Sequence, residues 1–344
     1  MTGASILEVS EAAGLTLEHS CRNGRCGTCR VQVLKGRTVA LISEESLTPQ
    51  EKSEGWILSC ARSAESDLHL AIEDVGTAGI PGKTLPCRID SLELSASDVM
   101  KVVLRLPVAN HPSSRFRYLG GQYVNVIAKN GQGRTYFIAN SQAGCSEVNE
   151  VNEVKLELHI RRVTGGVVST YWFEAARIND LLRLVGPLGT FFLRECSGRD
   201  VVFLATGTGI NPIKAMTGDS DELLPAQRPR SVTLLWGGQC AGDLYWAPES
   251  VELIYTPVLS RLSIHDKAGW RGAEGPVQDM LLQEHNEHPH DWAHTQFYAC
   301  GSTNMITSTR NHLTAVGSPA MHFYSDAFAS SAAATLATHF ESSP

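Results

Sequence analysis

The chain has 344 residues, 42% of them hydrophobic, and a formal net charge of −7. That length suggests two or three domains with ordinary packed cores, and the negative charge gives nucleic-acid binding no electrostatic support. No apolar run approaches the roughly 18 residues needed to cross a bilayer, and the start, with Glu8 and Glu11 and no basic stretch, reads as no secretory signal.

In chain order, Ser5-Ile6-Leu7-Glu8 has the form of a capping box and predicts a short helix that Gly14 ends. The run C-R-N-G-R-C-G-T-C follows, with Cys21, Cys26 and Cys29, and later W-I-L-S-C with Cys60. A C-x4-C-x2-C loop with a distant fourth cysteine has the spacing of a plant-type 2Fe–2S site. Zinc and free thiols are the alternatives, although zinc usually uses paired C-x2-C units. Gly24 and Gly27 supply backbone conformations that a loop curled around a cluster needs. Nine cysteines without a secretory signal point to metal use in a reducing, cytoplasmic compartment. Cys87, Cys145, Cys196 and Cys240 read as buried small hydrophobes.

Val31 and Val33 predict a strand turning at Lys35-Gly36, with further strands at Trp56–Ala61 and Leu68–Glu73. These complete a first domain, 1–76, followed by a glycine-rich linker, 77–83. Residues 84–195 read as mainly β: Leu85–Leu94, Met100–Leu106, Gln122–Ala128, Thr135–Ala139 and Val154–Val163, with a helix near Val167–Ala176. Glu147–Val154 reads as a solvated insertion. From 196 to 329, apolar strands (Val201–Ala205, Val232–Trp236, Leu253–Val258, Gln296–Cys300) alternate with helices, as in a doubly wound parallel sheet. Residues 330–344 read as a disordered tail.

Two stretches suit phosphate chemistry. Arg134 and Tyr136 follow a glycine turn, and Gly165-Gly166 precede Ser169 and Thr170 at a helix start. An ordinary strand with alternating faces is the competing reading. Thr206-Gly207-Thr208-Gly209 joins a buried strand to a helix with Pro212 near its start, and is not the G-x-G-x-x-G fingerprint. The stretch from Thr217 to Glu222 forms helix poorly, so that helix is expected to be short. By pattern alone Cys300, before Gly301 and Ser302, reads as a buried strand thiol, and Phe328 as a core aromatic of an alternating strand. His285, His288, His290 and His294 fit no metal-ligand spacing and read as a solvated loop.

R-T-Y-F-I-A-N at Arg134–Asn140 resembles the R-x-Y-S flavin motif of the ferredoxin–NADP reductase superfamily. G-G-V-V-S-T, G-P-L-G-T-F-F-L, T-G-T-G-I-N-P and Y-A-C-G-S resemble its other elements, and W-I-L-S-C-A-R-S resembles the ferredoxin strand that carries a fourth ligand. The resemblance implies a β-grasp 2Fe–2S domain, an antiparallel β-barrel for FAD and a doubly wound NAD domain. It places Arg134, Tyr136, Ala139, Asn140, Ile160, Gly166, Ser169 and Thr170 on FAD. It places Thr206, Gly207, Thr208, Gly209, Gly301 and Ser302 on the nicotinamide nucleotide, with Cys300 beside the reacting carbon and Phe328 over the flavin. Phe137 stands where the superfamily carries a hydroxyl near the flavin, and Thr206 where it carries glycine. A plant-type ferredoxin has a β-hairpin before its first helix. Here almost nothing precedes that helix, so either the start is misassigned or the β-grasp sheet lacks two strands, and in the second case an exposed sheet edge, low stability and cluster loss are expected.

This domain order is found in reductase components of multicomponent oxygenases and in the CDP-6-deoxy-Δ3,4-glucoseen reductases. L-P-C-R-I-D-S-L-E, G-G-Q-Y-V, G-P-L-G-T-F-F-L-R-E and F-Y-S-D-A-F resemble the second family more closely. The resemblance implies electron flow from NADH through FAD and 2Fe–2S to an external acceptor, a dehydrase working on a nucleotide-linked sugar or an iron oxygenase. The resemblance also implies that Trp236–Tyr245 lies near the adenosine ribose, and since this segment carries no basic cluster for a 2′-phosphate, NADH is expected over NADPH. A redox sensor that holds flavin but turns over poorly is the alternative of another class, motivated by Phe137 and Thr206.

Overall fold

The computed structural model describes residues 3–328 except 73, 77–79, 110, 112–113, 129–130, 143–152, 164, 251, 263–268, 288–290 and 320–321. Cys145, most of the 147–154 insertion, His288, His290 and the 330–344 tail lie outside the described residues.

In the first unit, α1 (Ile6–Ala12) begins on the expected capping box: Ser5 Oγ accepts from Glu8 N–H at 3.2 Å and Glu8 accepts from Ser5 N–H at 2.7 Å. It buries Ile6 and Leu7 against Leu17, Val31 and Leu58. β1 (Arg30–Lys35) runs antiparallel between β3 (Trp56–Leu58) and β5 (His69–Ala71). β2 (Thr38–Ala40) pairs with β4 (Arg62–Ala64), and α2 (Pro49–Ser53) is capped by Thr48. Among the described residues no strand precedes α1. The strand expected over Trp56–Ala61 stops at Leu58. Ser59 N–H bonds Cys29 O and Ala61 N–H bonds Leu58 O, a turn that carries Cys60 back to Cys29.

The second unit has six antiparallel strands: β6 (Lys83–Ala96), β7 (Val99–Arg105), β8 (Tyr123–Ile127), β9 (Gly133–Phe137), β10 (Lys155–Arg161) and β11 (Leu181–Leu188). They run in the order β10-β7-β6-β11-β8-β9. The outer pair meets just beyond β9, where Ala139 N–H bonds Glu157 O at 2.8 Å and the Asn140 amide bonds Lys155 O and Glu157 N–H. This closes the barrel around fully buried Ile89, Leu104, Val124, Ile138, Leu156, Leu158 and Leu184. The helix expected near Val167–Ala176 divides into α3 (Val167–Thr170) and a π-helical turn, Tyr171–Ala175. Ala176 N–H reaches Tyr171 O there, which turns Trp172 into the core.

The third unit is a parallel sheet ordered β15-β14-β13-β12-β16-β17. Its strands are β12 (Asp200–Thr206), β13 (Ser231–Gly238), β14 (Leu253–Leu259), β15 (Ala273–Glu274), β16 (Thr295–Gly301) and β17 (Phe323–Ala327). Its helices are α4 (Ile210–Asp221), α5 (Val277–Glu287) and α6 (Thr303–Ala315). The strand order reverses between β12 and β16, and the crevice outside their carboxyl ends is where such sheets bind ligands. α4 runs past the expected early stop, because tertiary contacts override propensity. A Cβ on Gly218 would stand 2.9 Å from Ser141, so glycine lets the helix lie on the barrel, and Asp219 accepts from Gly120 and Gln142 N–H.

Candidate functional site: a cysteine loop beside an aromatic and glycine-lined crevice

The four cysteines of the first unit meet as two pairs. Cys26 N–H donates to Cys21 Sγ at 3.3 Å, and Cys29 Sγ donates to Cys60 Sγ at 3.1 Å. Cys26, Cys29 and Cys60 are buried. The Cys21 thiol is pulled down to about 5 by the Cys26 thiol, aided by backbone N–H groups of Asn23, Arg25 and Cys26. Cys60 is lowered by the Cys29 thiol and then by the Gly24 backbone. Gly24 is required here: its φ is +77°, and a Cβ would stand 2.1 Å from Ser43 O. Among the described residues no three His, Cys, Asp or Glu side chains close around one point, as a single ion would need. Two thiol pairs fringed with amide donors fit two irons with two thiolates each.

The cysteine loop rests on both other units. Thr190 Oγ1 of the barrel accepts from His19 N–H at 2.8 Å and donates to His19 O at 3.1 Å. Tyr123 Oη donates to Ser20 O at 3.2 Å, Ser20 Oγ donates to Asp326 Oδ1 at 2.7 Å, and Thr28 Oγ1 donates to Ser325 O at 3.0 Å. Cys26 packs in one apolar cluster with Met305 and Ala327.

Beside the loop lies an aromatic group. Phe137, at the end of β9, packs edge-on against Tyr123 (5.9 Å between centroids), Phe191 (6.4 Å) and Phe328 (6.1 Å). Phe328 is 43% exposed and its N–H bonds Gly301 O at 2.9 Å, leaving an aromatic face uncovered beside the end of β16. Cys300 is fully buried, and burial pushes its thiol well up, so it is a neutral thiol. Thr206 Oγ1 accepts from Ser302 N–H at 3.0 Å, tying the first glycine turn to the second. This is work the expected glycine could not do. Trp236 Nε1 donates to Gly207 O at 3.0 Å.

The remaining predicted positions lie along the barrel or within its core. Arg134 is exposed and donates to its neighbour's carbonyl, Gly133 O. Tyr136 accepts from Trp172 Nε1 at 3.0 Å, and burial raises its hydroxyl to about 12. Ser169 Oγ donates to Val163 O and Gly166 O, and Thr170 Oγ1 also donates to Gly166 O. Ile160 is in the barrel core, opposite Met100 in the β10–β7 ladder, so its side chain does not line the surface. Gly165, with φ +75°, has open space at the place of a Cβ, next to the Gly166 carbonyl that Ser169 and Thr170 bond. An exposed cation, a glycine turn and an uncovered aromatic fit a flavin dinucleotide.

The barrel and the third unit are joined by a charged cluster absent from the expectations. Glu157 accepts from Lys214 Nζ and faces His159 Nε2 at 2.7 Å, and His159 Nδ1 faces Tyr245 Oη at 3.3 Å. Burial opposes ionisation of Glu157, but His159 and Lys214 outweigh it and hold the carboxyl at about 2 against 4.5 unperturbed. Burial lowers the His159 imidazole below 6.5. Both groups therefore stabilise the folded protein at neutral pH, His159 losing its contribution as pH falls below 6.5 and Glu157 as pH falls from 4.5 towards 2. The Glu157 share is on the order of 3 kcal/mol. Acid unfolding followed by Trp236 and Tyr245 emission should start in this window. In Glu157→Gln the stability at pH 7 should be lower and its slope against pH flatter.

Sequence reasoning missed Ser20, Tyr123 and Asp326. The signals were present: an Asp inside an apolar strand, F-Y-S-D-A-F, and a Tyr opening the strand of G-G-Q-Y-V.

Together these features define an iron–sulfur flavoprotein reductase built on the ferredoxin-reductase plan. Residues 1–65 match the family described as 2Fe-2S iron-sulfur cluster binding domain, 86–193 the Oxidoreductase FAD-binding domain and 203–311 the Oxidoreductase NAD-binding domain. The chain is 35% identical over 332 residues to the CDP-6-deoxy-L-threo-D-glycero-4-hexulose-3-dehydrase reductase of Yersinia pestis, covering 94% of this chain and 93% of the relative. It is 35% identical to Protein RfbI of Salmonella typhimurium (95% and 92% covered) and 28% identical to the Terephthalate 1,2-dioxygenase reductase component 1 of Comamonas sp (96% and 93%). The fold is shared with the crystal structure of the Amycolatopsis cytochrome P450 reductase GcoB, at TM-score 0.67, 24% identity and 95% coverage of each chain. The chain belongs to the family of the CDP-6-deoxy-hexulose-3-dehydrase reductases within the ferredoxin-reductase superfamily.

Proposed function

We propose that this protein takes electrons from NADH and delivers them to a dehydrase acting on a CDP-linked deoxyhexose in the cytoplasm, with domains at 1–76, 84–195 and 196–329. When bound, FAD accepts two electrons from NADH and the cluster hands them on singly. The supporting observation is that the cysteine loop, the Phe137–Phe328 pair and the glycine turns of β12 and β16 adjoin one another.

In this reading Cys21, Cys26, Cys29 and Cys60 hold the cluster. Arg134 neutralises the flavin pyrophosphate, Gly166, Ser169 and Thr170 present the turn beside it, and Tyr136 packs on the flavin chain. Ala139, Asn140 and Ile160 contribute backbone. Thr206, Gly207, Thr208, Gly209, Gly301 and Ser302 form the floor for the nicotinamide half, and Cys300 and Phe328 flank the reacting edge. Phe137 has no hydroxyl to offer and excludes water through its aromatic neighbours. Asp243, whose Oδ2 accepts from Gln239 and Cys240 N–H, also engages Arg161 at 3.5 Å through Oδ1, so its carboxylate competes with a 2′-phosphate for that cation, which favours NADH. No helix among the described residues is long and apolar enough to cross a membrane.

Dehydrase reduction is preferred over oxygenase reduction because the dehydrase reductase is 35% identical over nearly the whole chain, against 28% for the oxygenase component. Anaerobic NADH should bleach the flavin first and the cluster absorbance second. Flavin bleaching with a permanently oxidised cluster would sink the relay, and no bleaching would favour the sensor. Turnover with a purified CDP-hexulose dehydrase, against a Rieske or diiron oxygenase, identifies the acceptor.

A further inference from the structure

Ser20 is the residue at which the three units meet. Its carbonyl accepts from Tyr123 of the barrel, its hydroxyl donates to Asp326 of the last strand, and the next residue is Cys21. The other end of the loop is pinned to the same strand, Thr28 to Ser325 O, and Ser325 Oγ accepts from Arg310. In the β16–β17 register Asp326 lies opposite Cys300, and two residues further Phe328 meets Phe137. One short strand thus touches the cysteine loop, the aromatic pair and the second glycine turn.

Asp326 is a costly residue for this place. It is 2% exposed, its Oδ2 has no hydrogen-bond partner, and burial pushes its carboxyl up to about 7. A buried carboxyl half satisfied by one hydroxyl is a net expense unless it fixes a geometry that matters. What it fixes is the backbone immediately before a cluster ligand, and with it the distance an electron must cross to reach the cluster.

We propose that Asp326 is a positioning residue for electron delivery: its hydrogen bond to Ser20 latches the cysteine loop against the flavin barrel and the nicotinamide domain. The latch acts through hydrogen-bond geometry and not through charge. Ser20 Oγ needs an acceptor where Oδ1 stands, and an asparagine supplies one. This inference deepens the relay reading and rests on it for its kinetic arm, whereas its structural arm stands without NADH.

The test uses the full-length protein loaded with cluster and FAD. Amide hydrogen exchange is followed across residues 19–29, and flavin and cluster absorbance are followed after anaerobic mixing with NADH. In Ser20→Ala and Asp326→Ala, exchange across the loop should rise about tenfold or more, and cluster reduction should slow about tenfold or more. In Ser20→Ala, flavin bleaching by NADH should stay within about twofold of the parent protein. Asp326→Asn should restore slow exchange and fast cluster reduction.

Unchanged exchange in both alanine variants overturns the latch. So does faster exchange with unchanged cluster reduction, or an asparagine variant as impaired as the alanine one. If flavin bleaching and cluster reduction fall in step in Ser20→Ala, the hydroxyl serves the hydride step and the proposal fails. A parent protein that NADH does not reduce refutes the relay reading, and the exchange comparison still decides the latch.

Discussion

Cys60→Ser should strip the protein of its cluster while leaving the flavin reducible by NADH. The Cys60 thiol is buried and 3.1 Å from Cys29 Sγ, and both the Cys29 thiol and the Gly24 backbone favour its thiolate. A serine hydroxyl, with its far higher pKa, does not match a thiolate for iron. Iron and acid-labile sulfide should therefore be lost, and with them the reduced-cluster EPR signal. Reduction of a one-electron acceptor protein should fall at least about 100-fold. Ferricyanide, which accepts directly from flavin, should be reduced at nearly the parent rate, because Cys60 lies in the core of the first unit and not of the barrel. That core is small, so losing the cluster should also melt the first unit at a lower temperature. Cys240→Ser is the control, an exposed thiol outside the loop. If Cys60→Ser retained a full cluster signal, Cys60 would not be a ligand and the two-pair geometry would be misleading.

Features fixed by local sequence were legible and those fixed by tertiary contact were not. The capping box at Ser5, the glycines of the cysteine loop and the apolar strands of the parallel sheet each follow from a few neighbouring residues, and the structure has them. The length of α4 was misread because Thr217–Asp221 is a poor helix by propensity, and only the barrel beneath Gly218 and Asp219 makes it helical. The strand ending at Leu58 was overrun because the turn that stops it is held by Cys29, distant in sequence. At the site, the cysteine spacing and the glycine turns were visible as patterns. Tyr123 and Asp326 stood out in their strands and Ser20 did not, but the role of all three comes only through partners on another unit, which no local pattern reveals. Thr206 looked like a defect, and its hydroxyl turns out to join the two glycine turns.

Gly209→Ala should abolish reduction by NADH without touching the cluster. Gly209 has φ −61°, which alanine adopts without strain, so the argument is one of space alone. A Cβ there would stand 2.2 Å from Cys300 O, 2.6 Å from Cys300 C and 2.9 Å from Gly301 N. All three atoms are backbone at the end of β16, between β12 and β17, and none can rotate away. Either the start of α4 or the end of β16 must move by about 1 Å. Overpacking of this kind costs about 1–3 kcal/mol, which is survivable for a sheet of six strands. The functional cost is larger, because the two glycine turns that would grip the nicotinamide half move apart, and displacement on that scale costs about 10²-fold. NADH-dependent flavin bleaching should therefore fall about 100-fold or more, while dithionite still reduces flavin and cluster and the cluster EPR signal is unchanged. Gly269→Ala, where a Cβ meets nothing within 4 Å, should behave as the parent protein. Retained NADH reduction in a folded Gly209→Ala variant would place the nucleotide elsewhere than the crevice between β12 and β16.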